Sequence, residues 1–220
     1  MREEGKSFVP VWDDFLFLTY ATCRTVELIS YTVKGLRPVP LIEKAAPESG
    51  ELCGSVFLNR IFAKYLKDRL ENNANWSDDI MVKAMEHFEV NIKKRFRGRA
   101  NETFFVPVSP IAESRRLGIN SRGEFRLSGD DLRNIFEPVI NEIVRLVMDQ
   151  IRATEKEVKA VFLVGGFGEN VYLRERLRTE IGENIEVKKA IDRYAPDLCV
   201  KILHMLTDDA KAGRRYRRVP

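Results

Sequence analysis

The sequence predicts a mixed α/β fold, and three observations carry that prediction. Two runs rich in β-branched and aromatic residues, 15–21 and 25–33, stand side by side near the start. A long stretch with apolar residues at helical intervals begins near Leu132. At 158–177 an apolar run, Val161-Phe162-Leu163-Val164, passes through Gly165, Gly166 and Gly168 into a second amphipathic helix. Strand, glycine turn and helix bring bare backbone and a positive helix end to a phosphorylated ligand, so a nucleotide is the first expectation.

In chain order, 15–21 and 25–33 read as a hairpin with Thr22-Cys23-Arg24 as its turn, ended by Gly35, Pro38 and Pro40. Residues 41–46 read as a third strand. Gly54-Ser55 opens a helix whose stripe is Phe57, Leu58, Ile61, Phe62, Tyr65, Leu66 and Leu70. After a polar loop at 72–75, Ser77 is a cap for a second helix, with Asp78 and Asp79 at its positive end. Met81, Met85, Phe88, Ile92 and Phe96 are its expected buried face. Lys93, Lys94, Arg95, Arg97 and Arg99 read as a solvated basic terminus.

Residues 103–108 and 124–127 read as strands, and 111–122 carries no clear pattern. Ser128 caps the long helix of Leu132, Ile135, Phe136, Val139, Ile140, Ile143, Val144, Val147 and Ile151. Pro138 predicts a kink there, or two abutting helices. Asn170 caps the helix carrying Leu173 and Leu177. A last strand at 185–190, a last helix at 197–206 and a basic tail complete the reading.

The bulk numbers exclude several classes. The 220 residues suffice for one large domain or two small lobes. A net charge of +4 on 70 charged side chains does not require nucleic acid. Cys23, Cys53 and Cys199 are sparse and far apart, as expected of free thiols in a reducing compartment, so a cytoplasmic location is expected. No apolar run reaches membrane-spanning length, and the polar start is not read as a signal peptide. Sequons at Asn75 and Asn101 read as chance. His87 and His204 lack metal-ligand spacing, and no P-loop or nucleophile elbow is present. A dinucleotide fingerprint counted from Gly166 fails at Val171, where its third glycine would fall.

Four segments together resemble the second lobe of the nucleotide-binding domain of seventy-kilodalton heat-shock (DnaK-like) chaperones. These are YATCRTVE at 20–27, LCGSVFLNR at 52–60, FRLSGDDLRNIFEPVINEIVRLV at 125–147 and the adenosine motif at 161–177. The resemblance is nearest to divergent, chaperone-related proteins that keep this ATPase domain without a standard peptide-binding domain. It covers about 15–206 and implies an actin-like ATPase (ribonuclease H-like) second lobe, with an inserted α+β subdomain at about 50–125. Residues 1–14 are then a lead and 207–220 a basic tail. It implies ATP or ADP as cofactor, with Gly165 and Gly166 beside the ribose and α-phosphate. Phe167, Glu169 and Asn170 would lie near the adenine, Glu89 and Lys93 on its other face, and Thr25 at the phosphates.

The departures fall on the phosphate loop. Where the family has three successive glycines, this chain has Thr22, Cys23 and Arg24, whose β-carbons obstruct close approach of backbone amides to phosphate. Tyr20 stands where the family's metal-binding acid would be, so Mg²⁺ is not expected to be held. Glu27 replaces the second acid and Cys53 a glycine. The family's first lobe has no counterpart here. These departures predict a degenerate nucleotide-binding lobe with weak or no ATP hydrolysis. The alternatives are half of a split ATPase completed by a partner chain, or a non-enzymatic protein-interaction module. A nucleic-acid partner, through Lys211, Arg214, Arg215, Tyr216, Arg217 and Arg218, is not expected.

Overall fold

The computed structural model describes residues 14–19, 25–35 and 41–189. The expected turn at 22–24, the last helix and the basic tail lie outside them.

Strands β1 (Asp14–Thr19) and β2 (Val26–Gly35) pair antiparallel, with Thr19 opposite Glu27. β3 (Leu41–Lys44) continues the sheet on β2. So does β4 (Ser49–Glu51), a short strand that three exposed residues gave no periodic signal for. On its other edge β1 pairs parallel with β7 (Ala160–Leu163), and β7 pairs parallel with β8 (Glu186–Lys189). The path is β3-β2-β1-β7-β8, with β4 off it on β2. Every residue of β7 is buried, as a parallel strand requires. A separate two-stranded sheet pairs β5 (Thr103–Pro107) with β6 (Glu124–Ser128).

Helix α1 (Val56–Leu70) buries Leu58, Phe62, Leu66 and Leu70, while Phe57, Ile61 and Tyr65 line its half-buried flank. Helix α2 (Asp78–His87) runs into a wide turn at Phe88–Ile92 with π-type bonding. The fully buried residues are Ile80, Ala84, Phe88, Ile92 and Phe96, and Met81 and Met85 are only partly covered. This corrects the expected face by one residue over its first half. A spacing of four drifts around an α-helix of about 3.6 residues per turn, and the wide turn brings Phe88, Ile92 and Phe96 back onto one line. Ser77 caps α2 by position, but its side chain makes no capping bond.

Helix α3 (Gly129–Ala153) is unbroken through Pro138, so the expectation of two abutting helices is corrected. Pro138 is exposed, as is Asn134, whose carbonyl loses its amide partner, so water can satisfy it. The inward stripe on both sides of the proline stays buried. Ser128 and Asp131 form a reciprocal capping box at its start. Helix α4 (Val171–Ile181) packs against α3 and β8.

One core joins the sheet to the β5–β6 hairpin. Phe62 stacks on Phe88 with ring centroids 4.1 Å apart, and Phe96 lies 4.9 Å from Phe136 and 5.2 Å from Tyr172. Beneath β2 the core turns polar. Gln150 donates to the Ser30 hydroxyl and the Pro47 carbonyl, both at 3.0 Å, and accepts from Ser49 at 2.5 Å. Ser30 meets Thr154 at 2.8 Å, and Thr154 donates to the Gln150 carbonyl. No helix among the described residues is long and apolar enough to cross a membrane.

Candidate functional site

Parallel strands β1, β7 and β8 end together. Leu18 stands opposite Leu163, and Leu163 opposite Lys189. Chain leaving β7 therefore emerges at the edge where β1 also ends. Thr25, two residues before the Glu27 that faces Thr19, lies at that edge and is half-buried. It stands two strands from β7, about 10 Å away at ordinary strand spacing. Ligands of α/β sheets bind outside the carboxyl ends of such strands.

The turn at this edge is a single 3-10 turn, Gly166–Glu169. Gly165 before it has φ 90° and ψ 170°, a conformation that side chains do not tolerate. Gly168 packs on the end of β7, where a β-carbon would lie 3.2 Å from Leu163. Gly166 differs from both. Its φ is not positive, it is exposed, and a β-carbon there would meet nothing within 4 Å.

Of the other predicted site residues, Glu169 is exposed. Phe167 is 5% exposed and belongs to the core, so its ring is not presented at the open edge. Asn170 is equally enclosed. Its Oδ1 accepts the Leu173 N–H at 2.8 Å, capping α4, and its Nδ2 donates to the Lys93 carbonyl at 2.6 Å. That second bond ties the glycine turn to the segment after α2. Lys93 donates to Asn59 Oδ1 at 2.9 Å and lies 3.7 Å from the Glu89 carboxylate. Asn59 Nδ2 donates to Glu89 at 2.5 Å. The structure thus joins Asn170, Lys93 and Glu89 in one polar chain. It adds Asn59, to which the sequence assigned no role. The available signal was an amide between Leu58 and Phe62 on an apolar helix.

Behind the turn, Glu137 of α3 accepts from the Tyr172 hydroxyl and from Arg176 at 2.5 and 2.7 Å. Burial pushes the Glu137 carboxyl up, but the hydrogen bonds from Tyr172 and Arg176 and the guanidinium charge outweigh it, holding the group below the usual range. Cys53 is buried, and burial with Glu142 and Glu51 nearby pushes its thiol up to about 12, so it is protonated at neutral pH and a poor nucleophile. Among the described residues no cluster of His, Cys, Asp and Glu could hold a metal.

The fold and the site define a mixed α/β protein with a glycine turn at a parallel-strand edge. No protein-family model matches the chain. Heat shock 70 kDa protein 12A of Mus musculus is 33% identical over 69 residues, 31% of this chain. That alignment spans 10% of the mouse protein's length. Over part of its length, the chain is therefore similar to a heat-shock-70 protein.

Proposed function

We propose that the chain is a degenerate nucleotide-binding lobe of the heat-shock-70-like, actin-like kind, with about 50–125 as its inserted subdomain. It holds ATP or ADP chiefly by the adenosine end and hydrolyses it weakly or not at all. The observation that carries this reading is Gly166. Neither its backbone angles nor its packing calls for glycine, yet it faces open space at the carboxyl edge of the parallel strands. A ligand approaching the bare backbone supplies the missing reason. The partial likeness to heat shock 70 kDa protein 12A agrees in kind.

In this reading the Gly165-Gly166 backbone lies along the ribose, and Glu89, Lys93 and Asn59 form the polar wall across from it. Phe167 and Asn170 act by fixing the turn, since both side chains are enclosed. Bound ATP would bring a transferable phosphoryl group. Its transfer requires charge neutralisation and in-line positioning. Tyr20 offers no carboxylate to Mg²⁺, and Thr22, Cys23 and Arg24 replace a glycine cradle.

Calorimetric titration of the chain with ATP and ADP, with and without Mg²⁺, tests this. The expected result is similar affinity for both nucleotides, little Mg²⁺ dependence, and loss of binding in Gly166→Val. Absence of binding heat for either nucleotide overturns the reading. Mg²⁺-dependent turnover that Gly166→Val abolishes overturns the claim of weak hydrolysis.

A further inference from the structure

Among the described residues outside 94–127, most lysines and arginines are paired. Arg145 holds Glu51, Glu142 and Asp149, Arg176 holds Glu137 and Glu180, and Lys44, Lys64 and Arg178 each meet an acid within four residues. The β5–β6 hairpin and its flanks differ. Residues 94–127 hold eight lysines and arginines against three glutamates, a net of +5 in a chain whose total is +4. Two of those glutamates are engaged. Glu102 accepts the backbone N–H groups of Arg97 and Arg99 at 3.1 and 2.9 Å, and Glu124 accepts from the Asn120 amide at 2.9 Å. Among the described residues, the exposed side chains of Arg97, Arg99, Arg115, Arg116 and Arg126 form no ion pair.

The hairpin gathers these groups. Phe105 stands directly opposite Arg126, so both side chains share one face, while Val106, Phe125 and Leu127 point into the core. Phe105 is 43% exposed. The Arg126 N–H bonds the Gly118 carbonyl at 2.9 Å, which sets the turn carrying Arg115 and Arg116 alongside. At the other end the Arg99 carbonyl lies against Gly129, leaving no room for a β-carbon there. The exposed ring thus has Arg126 beside it, and the backbone brings the exposed Arg115–Arg116 turn next to Arg126, along a strand of about 17 Å.

We propose that this outward face binds single-stranded nucleic acid, with a base on Phe105 and phosphates on Arg126, Arg115 and Arg116. The planar guanidinium fork suits phosphate, and a ring flanked by cations binds stacked bases with little sequence preference. An acidic peptide would use the charges but has no need of the ring. The small net charge of the whole chain conceals this surface, because acids elsewhere offset it.

The test is fluorescence anisotropy of labelled oligouridylate and oligodeoxythymidylate on the whole chain over a salt series, with an alternating Glu-Thr peptide as competitor. Affinity is expected to fall log-linearly with salt. The triple change Arg115→Glu, Arg116→Glu and Arg126→Glu weakens binding at least about tenfold and lowers the slope by about 2, from roughly 0.7 per phosphate contact. Lysine at the same three positions keeps the slope. Phe105→Ala weakens binding roughly tenfold and leaves the slope unchanged. Thermal unfolding checks each fold, and if the glutamate triple does not fold, the lysine triple and Phe105→Ala decide. No oligonucleotide binding at low salt overturns the proposal, as does an unchanged slope in the folded glutamate triple. Displacement by the peptide with no effect of Phe105→Ala makes the face an acidic-protein dock and also overturns it.

Discussion

Helix α3 is shared by two regions that are held in different ways. Its first half carries Phe136, which packs against Phe88, Phe96 and Tyr172 in an interior of rings. Its last turns meet β2 and β4 through a polar network in which Ser30, Gln150 and Thr154 are buried, Ser49 is exposed, and each group finds a partner. Ring packing is non-directional and tolerates a shift of register, whereas a hydrogen-bond network admits one arrangement. The difference assigns roles. The ring core supplies stability to the hairpin half. The network fixes the sheet whose edge carries the candidate site.

Truncation in each region tests that contrast. Phe88→Ala removes a fully buried ring stacked on Phe62 and is expected to cost about 3–5 kcal/mol in denaturant unfolding. Gln150→Ala removes a partner from buried Ser30, which keeps Thr154, while water can reach Ser49 and the Pro47 carbonyl; it is expected to cost about 1–2 kcal/mol. If Gln150→Ala proved neutral while Phe88→Ala kept its full cost, the network would not be holding the sheet.

Glu137 sharpens the contrast, because its charge links α3 to α4 behind the glycine turn. Its folded carboxyl lies below the ordinary range, so its contribution is complete above the unfolded value and is lost as pH falls through the folded one. Glu137→Gln is expected to cost about 1–2 kcal/mol near neutral pH, since Tyr172 and Arg176 lose a charged acceptor. The gap from the parent chain should close in acid. Unfolding curves for both at neutral and acidic pH measure it, and a gap independent of pH would remove the electrostatic explanation.

These regions were not equally legible in the sequence. Periodicity marked the stripes of α1 and α3, and the Asn170 cap and the glycine turn followed from local chemistry. The wide turn at Phe88–Ile92 did not, because hydrophobic spacing of four fits an α-helix nearly as well and only packing against Phe62 and Phe136 selects the turn. Pro138 suggested a break that burial on both sides overrides. At the site, Gly165 and Gly166 look alike in sequence, and Asn59 had no visible partner. Glu89 and Lys93 lie 30 and 34 residues along the chain from it. The pairing of cations was equally hidden, since a charge count does not say which charges meet.

The two adjacent glycines give the smallest expected effects and the most direct probe of the candidate site. Gly165→Ala places a β-carbon at φ 90° and is expected to cost about 1 kcal/mol through backbone strain. Gly166→Ala adds a methyl to open space at an ordinary φ, so its effect on unfolding should lie within about 0.5 kcal/mol. A position that the fold leaves unconstrained can still be constrained by what approaches it. If Gly166→Ala leaves the unfolding midpoint in place but weakens ADP binding in the same titration, glycine there serves a ligand. If it destabilises the chain as much as Gly165→Ala does, Gly166 serves the turn, and the open space before it carries no functional meaning.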